Sequence, residues 1–211
     1  MISFLEFIRE GANMHHGSAN APEKLLPKNP HKRSDVNLLD TLIGTHYASD
    51  PKMSDKFKEG NYGRKPENPG TLTARRPPRS QLVKIHGKHF DQTNIANHII
   101  STVFSRPDAK PLFKRWAFSS NHAKTHEDAE KLYNDLASKG KVVSHLKNYD
   151  PHLHQGGIRG EVADKYVQIM QGQGKRGLVY TNTSPNETRD GVQGKQSYVI
   201  FDPSKLPHTR S

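Results

Sequence analysis

The chain contains no cysteine among its 211 residues. Disulfides, thiolate nucleophiles, iron–sulfur clusters and zinc fingers with sulfur ligands are therefore excluded. No apolar run approaches the roughly 18 to 20 residues that a membrane-spanning helix needs, so we expect no membrane partner. Apolar and aromatic residues make up only 32% of the sequence. This low share predicts one modest core with long polar loops.

Basic residues, in contrast, are plentiful. The 32 Lys and Arg residues outnumber the 21 Asp and Glu residues, which gives a formal net charge of +11, and there are 13 histidines besides. Such an excess attracts polyanions such as nucleic acid. Aromatic residues do not interleave with the basic ones, so sequence-specific binding of RNA or single strands is not indicated. We therefore expect non-specific contact with DNA.

Hydrophobic periodicity predicts a mixed α and β chain. Thr125 followed by Asp128 predicts a capping box at the start of one helix. A long basic loop is predicted over residues 60–80, where Gly, Asn, Pro and Arg dominate. Strands are expected over 13–17, 81–86, 178–180 and 198–201, and helices over 50–57, 94–104, 109–118, 125–138 and 161–171.

The histidines do not form a convincing metal site. A helix beginning His126-Glu127 resembles that of a zinc protease, but Glu130 occupies the position that needs the second histidine. The pairs His122/His126 and His152/His154 lack a third ligand at a diagnostic spacing. We therefore interpret them as surface histidines and expect no bound metal.

Residues 1–10 form a separate signal, with apolar residues at positions 1, 4, 5 and 8. This spacing gives one apolar helical face, and a terminal helix packed on the domain would explain it. The run Phe4-Leu5-Glu6-Phe7-Ile8-Arg9-Glu10-Gly11-Ala12 also resembles the capsid-targeting peptide of internal head proteins of T-even-like phages. That resemblance implies cleavage by a prohead protease between Glu10 and Gly11, which would leave a domain of residues 11–211.

Three further blocks occur in one order along the chain. The first is Met14-His15-His16-Gly17-Ser18, and the second runs from Gly44 to Phe57. The third comprises residues 174–182 and 197–206. Together they resemble ADP-ribosyltransferases of the diphtheria toxin and poly(ADP-ribose) polymerase type. The resemblance implies an α+β fold with two small packed antiparallel sheets and surrounding helices.

The resemblance also implies NAD as the cofactor. The first block would hold the adenosine ribose and the nicotinamide amide, and glycine suits that place because a side chain would block the approach of the backbone. An aromatic or imidazole ring at position 46 or 47 would stack on the nicotinamide. The residues implied in NAD binding are His16, Gly17, Ser18, His46, Tyr47, Phe57 and Ser197.

The carboxylate that this chemistry needs is harder to find. In polymerase-like members it opens the last core strand, a position that falls here on Ser197, with Gln196 before it. Neither side chain can act as a general base. Glu187, in the loop between the two last predicted strands, is the remaining catalytic candidate, and a solvated loop glutamate is an equally open interpretation.

The two resemblances together predict an NAD-dependent mono-ADP-ribosyltransferase of a tailed phage. It would be packaged in the virion head and injected into the host cytoplasm to modify a host protein or RNA. A catalytically degenerate basic head protein that binds DNA or inhibits a host factor is the alternative, favoured by Ser197 and by the net charge of +11. An NAD-dependent RNA-modifying enzyme, which His46 and the segment Arg75–Arg79 would suit, also remains open.

Overall fold

The computed structural model describes residues 13–18, 39–52, 54, 69–85, 92–154, 157–181 and 196–210. These residues divide into two compact units. Strands drawn from both ends of the chain form one unit, and helices form the other. No helix in these ranges is long and apolar enough to cross a bilayer.

The sheet unit is built from short strands that are far apart in sequence. Within the described ranges they form one sheet in the order β4-β5-β6-β2-β1-β3-β7. Neighbouring strands are antiparallel, except for the parallel pair β4 and β5. The strands are β1 (Asn13–Ser18), β2 (Thr45–Ala48), β3 (Gly70–Arg75), β4 (Leu82–Lys84), β5 (Gly177–Thr181), β6 (Gln196–Ile200) and β7 (His208–Arg210).

The sheet consists of two halves joined at one point. Strands β1 and β2 share a single register pair, His15 with Ala48. By comparison, β1 pairs with β3 at six positions and β2 with β6 at four. Both halves nevertheless contribute to one core. It contains Met14, Leu72 and Ala74 from β1 and β3, and Tyr47, Leu82, Tyr198 and Ile200 from β2, β4 and β6.

The predicted mixture of α and β structure is confirmed, but the prediction of two packed sheets is wrong for the described residues. The pairing of His15 with Ala48 joins all strands into one sheet. The sequence did not reveal this, because hydrophobic patterns mark strands without indicating which strands pair.

The helical unit is packed around large apolar side chains. Its helices are α1 (Leu39–Ile43), α2 (Gln92–Phe104), α3 (Lys110–Ser119), α4 (His126–Ser138), α5 (Val142–Tyr149) and α6 (Arg159–Gly172). Ile99, Phe113 and Trp116 are fully buried. The Trp116 indole donates a hydrogen bond to the buried Asp150 carboxylate at 3.1 Å, so the end of α5 is tied to α3.

The predicted capping box of α4 is confirmed. The Asp128 amide donates to the Thr125 hydroxyl at 3.0 Å, and the Thr125 amide donates back to the Asp128 carboxylate at 3.1 Å. Each bond satisfies an amide that the helix itself leaves without a partner. Aspartate therefore serves here in the place where glutamate is more usual.

The prediction of a loop over residues 60–80 is wrong for 70–75, because Gly70–Arg75 forms β3 between β1 and β7, and residues 60–68 lie outside the described ranges. Thr71, Leu72 and Ala74 are all buried. A strand buried on both faces lacks the alternation that reveals a half-exposed one. Arg76 also differs from the expected solvated loop, since only 6% of it is exposed.

The predicted helix over 50–57 can be compared with the structure only in part. Pro51, Lys52 and Ser54 are helical, whereas residue 53 and residues 55–57 lie outside the described ranges. The Ser54 hydroxyl donates to the Pro51 carbonyl at 2.7 Å. The other predicted strands and helices are present, with ends that differ from the predicted ones by a few residues.

Candidate functional site

The candidate site lies where β1 and β2 diverge. Nδ1 of His16 donates a hydrogen bond to the backbone carbonyl of His46 at 2.8 Å, which links the two strands beside their single register pair. A carbonyl oxygen can only accept, so Nδ1 carries the proton. When the ring is neutral, its lone pair is therefore on Nε2. His16 is thus oriented with a nitrogen that can accept a hydrogen bond from a hydroxyl group.

Tyr47 lies next to His16 on the same face of the sheet. The two ring centroids are 5.7 Å apart. The Tyr47 hydroxyl forms a 2.8 Å hydrogen bond with Nε2 of His208, and the two rings stack at 6.1 Å. Burial raises the pKa of Tyr47 and lowers the pKa of His208. The site therefore combines two imidazoles with a phenol that stays protonated.

His46 and Ser197 lie on the opposite face of the sheet. Strand alternation turns His46 away from Tyr47, and its Nδ1 is 3.4 Å from the Tyr180 hydroxyl. Ser197 pairs with Ala48, so it also faces away from Tyr47. The structure therefore brings together His16 and Tyr47 and separates His46 and Ser197 from them. Of the two candidate stacking residues, Tyr47 is the one beside His16.

Two of the remaining predicted residues lie within the described ranges, and four lie outside them. Gly17 and Ser18 continue β1 and pair with Thr71 and Gly70 of β3. Phe57, Glu187, Glu10 and Gly11 lie outside the described residues. The stacking role of Phe57, the catalytic role of Glu187 and cleavage after Glu10 therefore stay predictions.

Sequence reasoning missed a second polar group on this face. Arg76 donates to the Tyr198 hydroxyl at 3.4 Å, and that hydroxyl donates to the Gln196 side chain at 2.9 Å. Tyr198 pairs directly with Tyr47 across β6 and β2, so the group adjoins the candidate site. The only sequence signal was the predicted strand containing Tyr198. Nothing in the sequence indicated that Arg76 would reach it.

The described part of the candidate site supplies an oriented imidazole but no carboxylate. His16 can hold a hydroxyl group. Tyr47 lies beside it in the core of the sheet unit and is only 2% exposed, and neither side chain is a carboxylate that could stabilise positive charge on a reacting sugar. Within the described ranges, no group of three or more His, Asp or Glu side chains is arranged to hold a metal ion. Comparisons of the chain with protein-family models, with curated proteins and with solved structures find no match.

Proposed function

We propose that the chain is an NAD-dependent mono-ADP-ribosyltransferase whose acceptor is a host macromolecule. The observation that supports it best is the pair His16 and Tyr47. The His46 carbonyl fixes the orientation of the His16 imidazole, and the ring of Tyr47 lies 5.7 Å away on the same face. In the families that the sequence resembles, a histidine holds the adenosine ribose and a tyrosine stacks on the nicotinamide.

The chemistry also needs a group for the developing positive charge. Breaking the bond between nicotinamide and ribose gives the sugar oxocarbenium character, which a carboxylate stabilises. Glu187 is our candidate for that role. His16 and Tyr47 would then bind and orient NAD. Glu187 would stabilise the positive charge that develops on the ribose as the bond to nicotinamide breaks.

Thermal unfolding with and without NAD tests binding, because a ligand that binds only the folded protein raises Tm. The matched variants are His16→Ala and His15→Ala. His15 is the preceding residue of β1, and its Nδ1 lies 3.1 Å from the Thr73 hydroxyl. We expect NAD to stabilise the wild type and the His15 variant, but not the His16 variant. Equal responses of the two variants would contradict the proposal.

Release of nicotinamide and transfer of label from NAD to proteins or RNA of a host lysate test catalysis. Glu187→Gln should abolish both while keeping the NAD-dependent rise in Tm. Asp190→Asn is the matched control, because it changes an acidic residue three positions further along the chain. RNase treatment of the lysate distinguishes an RNA acceptor from a protein acceptor. Full activity of the Glu187 variant would remove that residue from the mechanism.

The proposal also includes packaging of the protein inside the head of a phage virion. Residues 4–12 resemble a capsid-targeting peptide, and a basic chain with a net charge of +11 suits confinement beside packaged DNA. Co-expression with a prohead protease of a T-even-like phage tests this directly. Mass spectrometry should find an N-terminus at Gly11 for the wild type and an uncut chain for Glu10→Ala.

A catalytically inactive head protein is the second candidate. Ser197 occupies the position where the resemblance implies a carboxylate, and Gln196 precedes it. The Gln196 side chain accepts a hydrogen bond from Tyr198 on the face of Tyr47, so an amide lies there instead of a carboxylate. Such a protein would retain DNA at physiological salt, and NAD would produce neither a change in Tm nor release of nicotinamide. The assays above therefore distinguish the two candidates.

A further inference from the structure

A cavity of about 190 Å³ lies beside β4, β5 and β6 in the sheet unit. Its walls include Lys84, Val179 and Tyr198, which are register partners across these three strands and so share one face of the sheet. The same register continues to Tyr47 on β2. The cavity is therefore on the Tyr47 face, although neither Tyr47 nor His16 is among its lining residues.

Positive charge dominates the polar part of the cavity. Arg76, Arg79 and Lys84 line it, and its lining residues, all within the described ranges, include no Asp or Glu. Arg79 and Lys84 are exposed, whereas Arg76 is buried. The Tyr198 hydroxyl accepts a 3.4 Å hydrogen bond from Arg76, and its ring centroid lies 6.0 Å from the guanidinium carbon. These contacts hold the Arg76 guanidinium at the cavity.

Apolar groups supply the rest of the lining. Leu82, Ile85 and Val179 contribute aliphatic surface, and Tyr198 contributes an aromatic ring. The neighbouring Tyr180 also lines the cavity, but its side chain lies on the opposite face of the sheet with His46. A volume of about 190 Å³ is below the range of roughly 300 to 1,000 Å³ that is usual for drug-sized ligands. The cavity therefore suits a small molecule that has an apolar group as well as negative charge.

We propose that this cavity binds a small phosphate monoester whose organic part is a single planar ring. Arginine and lysine are the side chains that proteins use to hold phosphate, and a monoester carries nearly two negative charges at pH 7. A carboxylate carries only one charge, so three surrounding cations favour the phosphoryl group. The aromatic and aliphatic walls then recognise the ring. The inference does not depend on the proposed use of NAD.

Isothermal titration with phenyl phosphate at about 0.15 M salt tests the proposal, because this ionic strength weakens non-specific attraction to a basic surface. Inorganic phosphate and benzoate are the comparison ligands. The first lacks the ring, and the second has the ring but carries one negative charge instead of nearly two. We expect one phenyl phosphate per chain, bound about tenfold more tightly than either. Equal binding of inorganic phosphate, or no saturable binding of phenyl phosphate, would overturn the proposal.

Variants of the exposed cations locate the site. Arg79→Ala and Lys84→Ala should each weaken phenyl phosphate binding about three- to tenfold. Arg75→Ala is the matched control, since Arg75 is an exposed cation of the same segment that does not line the cavity. Its affinity should equal that of the wild type. An equal loss in all three variants would show general charge attraction and contradict a defined site.

The two proposals fail separately. His16→Ala removes no cavity residue, so it should leave phenyl phosphate affinity unchanged even where NAD binding is lost. Unfolding of each variant without ligand shows whether it is folded.

Discussion

The Tyr47 hydroxyl lies 2.8 Å from Nε2 of His208, although β1 and β3 lie between β2, which contains Tyr47, and β7, which contains His208. Neighbouring strands are about 4.8 Å apart, so three steps across a flat sheet would span about 14 Å. Contact between the two side chains therefore requires the sheet to curl. Arg76, in the connection from β3 to β4, also links the two halves through its hydrogen bond to Tyr198. The curl brings both halves onto one core.

Removing the Tyr47 hydroxyl should weaken this closure. We expect Tyr47→Phe to lower the free energy of unfolding by about 1 kcal/mol, because a partly buried His208 loses its hydrogen bond. Urea unfolding followed by circular dichroism measures the change. Tyr149→Phe is the control, since 62% of Tyr149 is exposed. Similar losses in both variants would mean that the hydroxyl of Tyr47 has no special role.

Two glycines allow β6 to approach its neighbours closely. A Cβ added at Gly44 would collide with the carbonyl oxygen of Ile200, and one at Gly177 with that of Val199. Backbone atoms cannot move aside as a flexible side chain can, so we expect each Gly→Ala change to cost about 1 to 3 kcal/mol of unfolding free energy.

Gly172 in α6 provides the matched control for these glycines. A Cβ added there meets nothing within 4 Å. Because alanine is the better helix former, Gly172→Ala should leave stability unchanged or raise it by up to about 1 kcal/mol. The same urea unfolding measurement applies to all three variants. A strongly destabilised Gly172 variant would show that the substitution itself, rather than the collision, causes the loss.

Acid should weaken the link between α3 and α4. Hydrogen bonds from Lys110 and Lys114 lower the pKa of Glu130 from its ordinary 4.5 to about 2. The ionised carboxylate therefore stabilises the folded protein above pH 4.5, and this contribution is lost as the pH falls from 4.5 towards 2. The expected result is a smaller loss of stability between pH 6 and pH 3 in Glu130→Gln than in the wild type.

Glu127→Gln is the comparison for Glu130, because it removes an exposed ion pair with Lys131 on the same helix. Its acid dependence should stay close to that of the wild type. Urea denaturation at several pH values, in constant salt, provides the measurement. An unchanged pH dependence in Glu130→Gln would be evidence against the pKa shift.

The capping box of α4 should contribute measurably to the helical unit. Thr125→Ala removes the acceptor for the Asp128 amide, and we expect it to lower the free energy of unfolding by about 1 kcal/mol. Thr125→Ser retains a hydroxyl at the same position and should be close to the wild type. Thermal unfolding compares the two variants. Equal Tm values for the alanine and serine variants would indicate that water replaces the hydroxyl at no cost.

Strong local signals in the sequence predicted much of the secondary structure. The apolar periodicity of α2, α3, α4 and α6 and the apolar runs of β5 and β6 gave elements close to those observed. The elements missed were α1, α5 and β7, which are short, and β3, which lies in a segment rich in proline and arginine. Their structure depends on packing against partners that are distant in sequence, so local patterns could not predict it.

The site was only half predictable for the same reason. The two segments that contain His16 and Tyr47 could be singled out by the order of their motifs along the chain. The sequence left open whether residue 46 or residue 47 lies beside His16, and the structure places Tyr47 there. His208 and Arg76 could not be foreseen. His208 reaches Tyr47 across two intervening strands, and Arg76 reaches Tyr198 from the connection between β3 and β4, so both contacts depend on how distant strands pair.

The position of the helical segment between β4 and β5 bears on how the chain folds. These two strands pair in parallel, yet about 90 residues separate them in sequence, so bringing them together closes a long loop. Most of the helices lie within that loop, so they are synthesised before β5, β6 and β7. On the ribosome, the helices can fold first. The sheet, with its cavity and its paired His16 and Tyr47, must await the last strands to be synthesised.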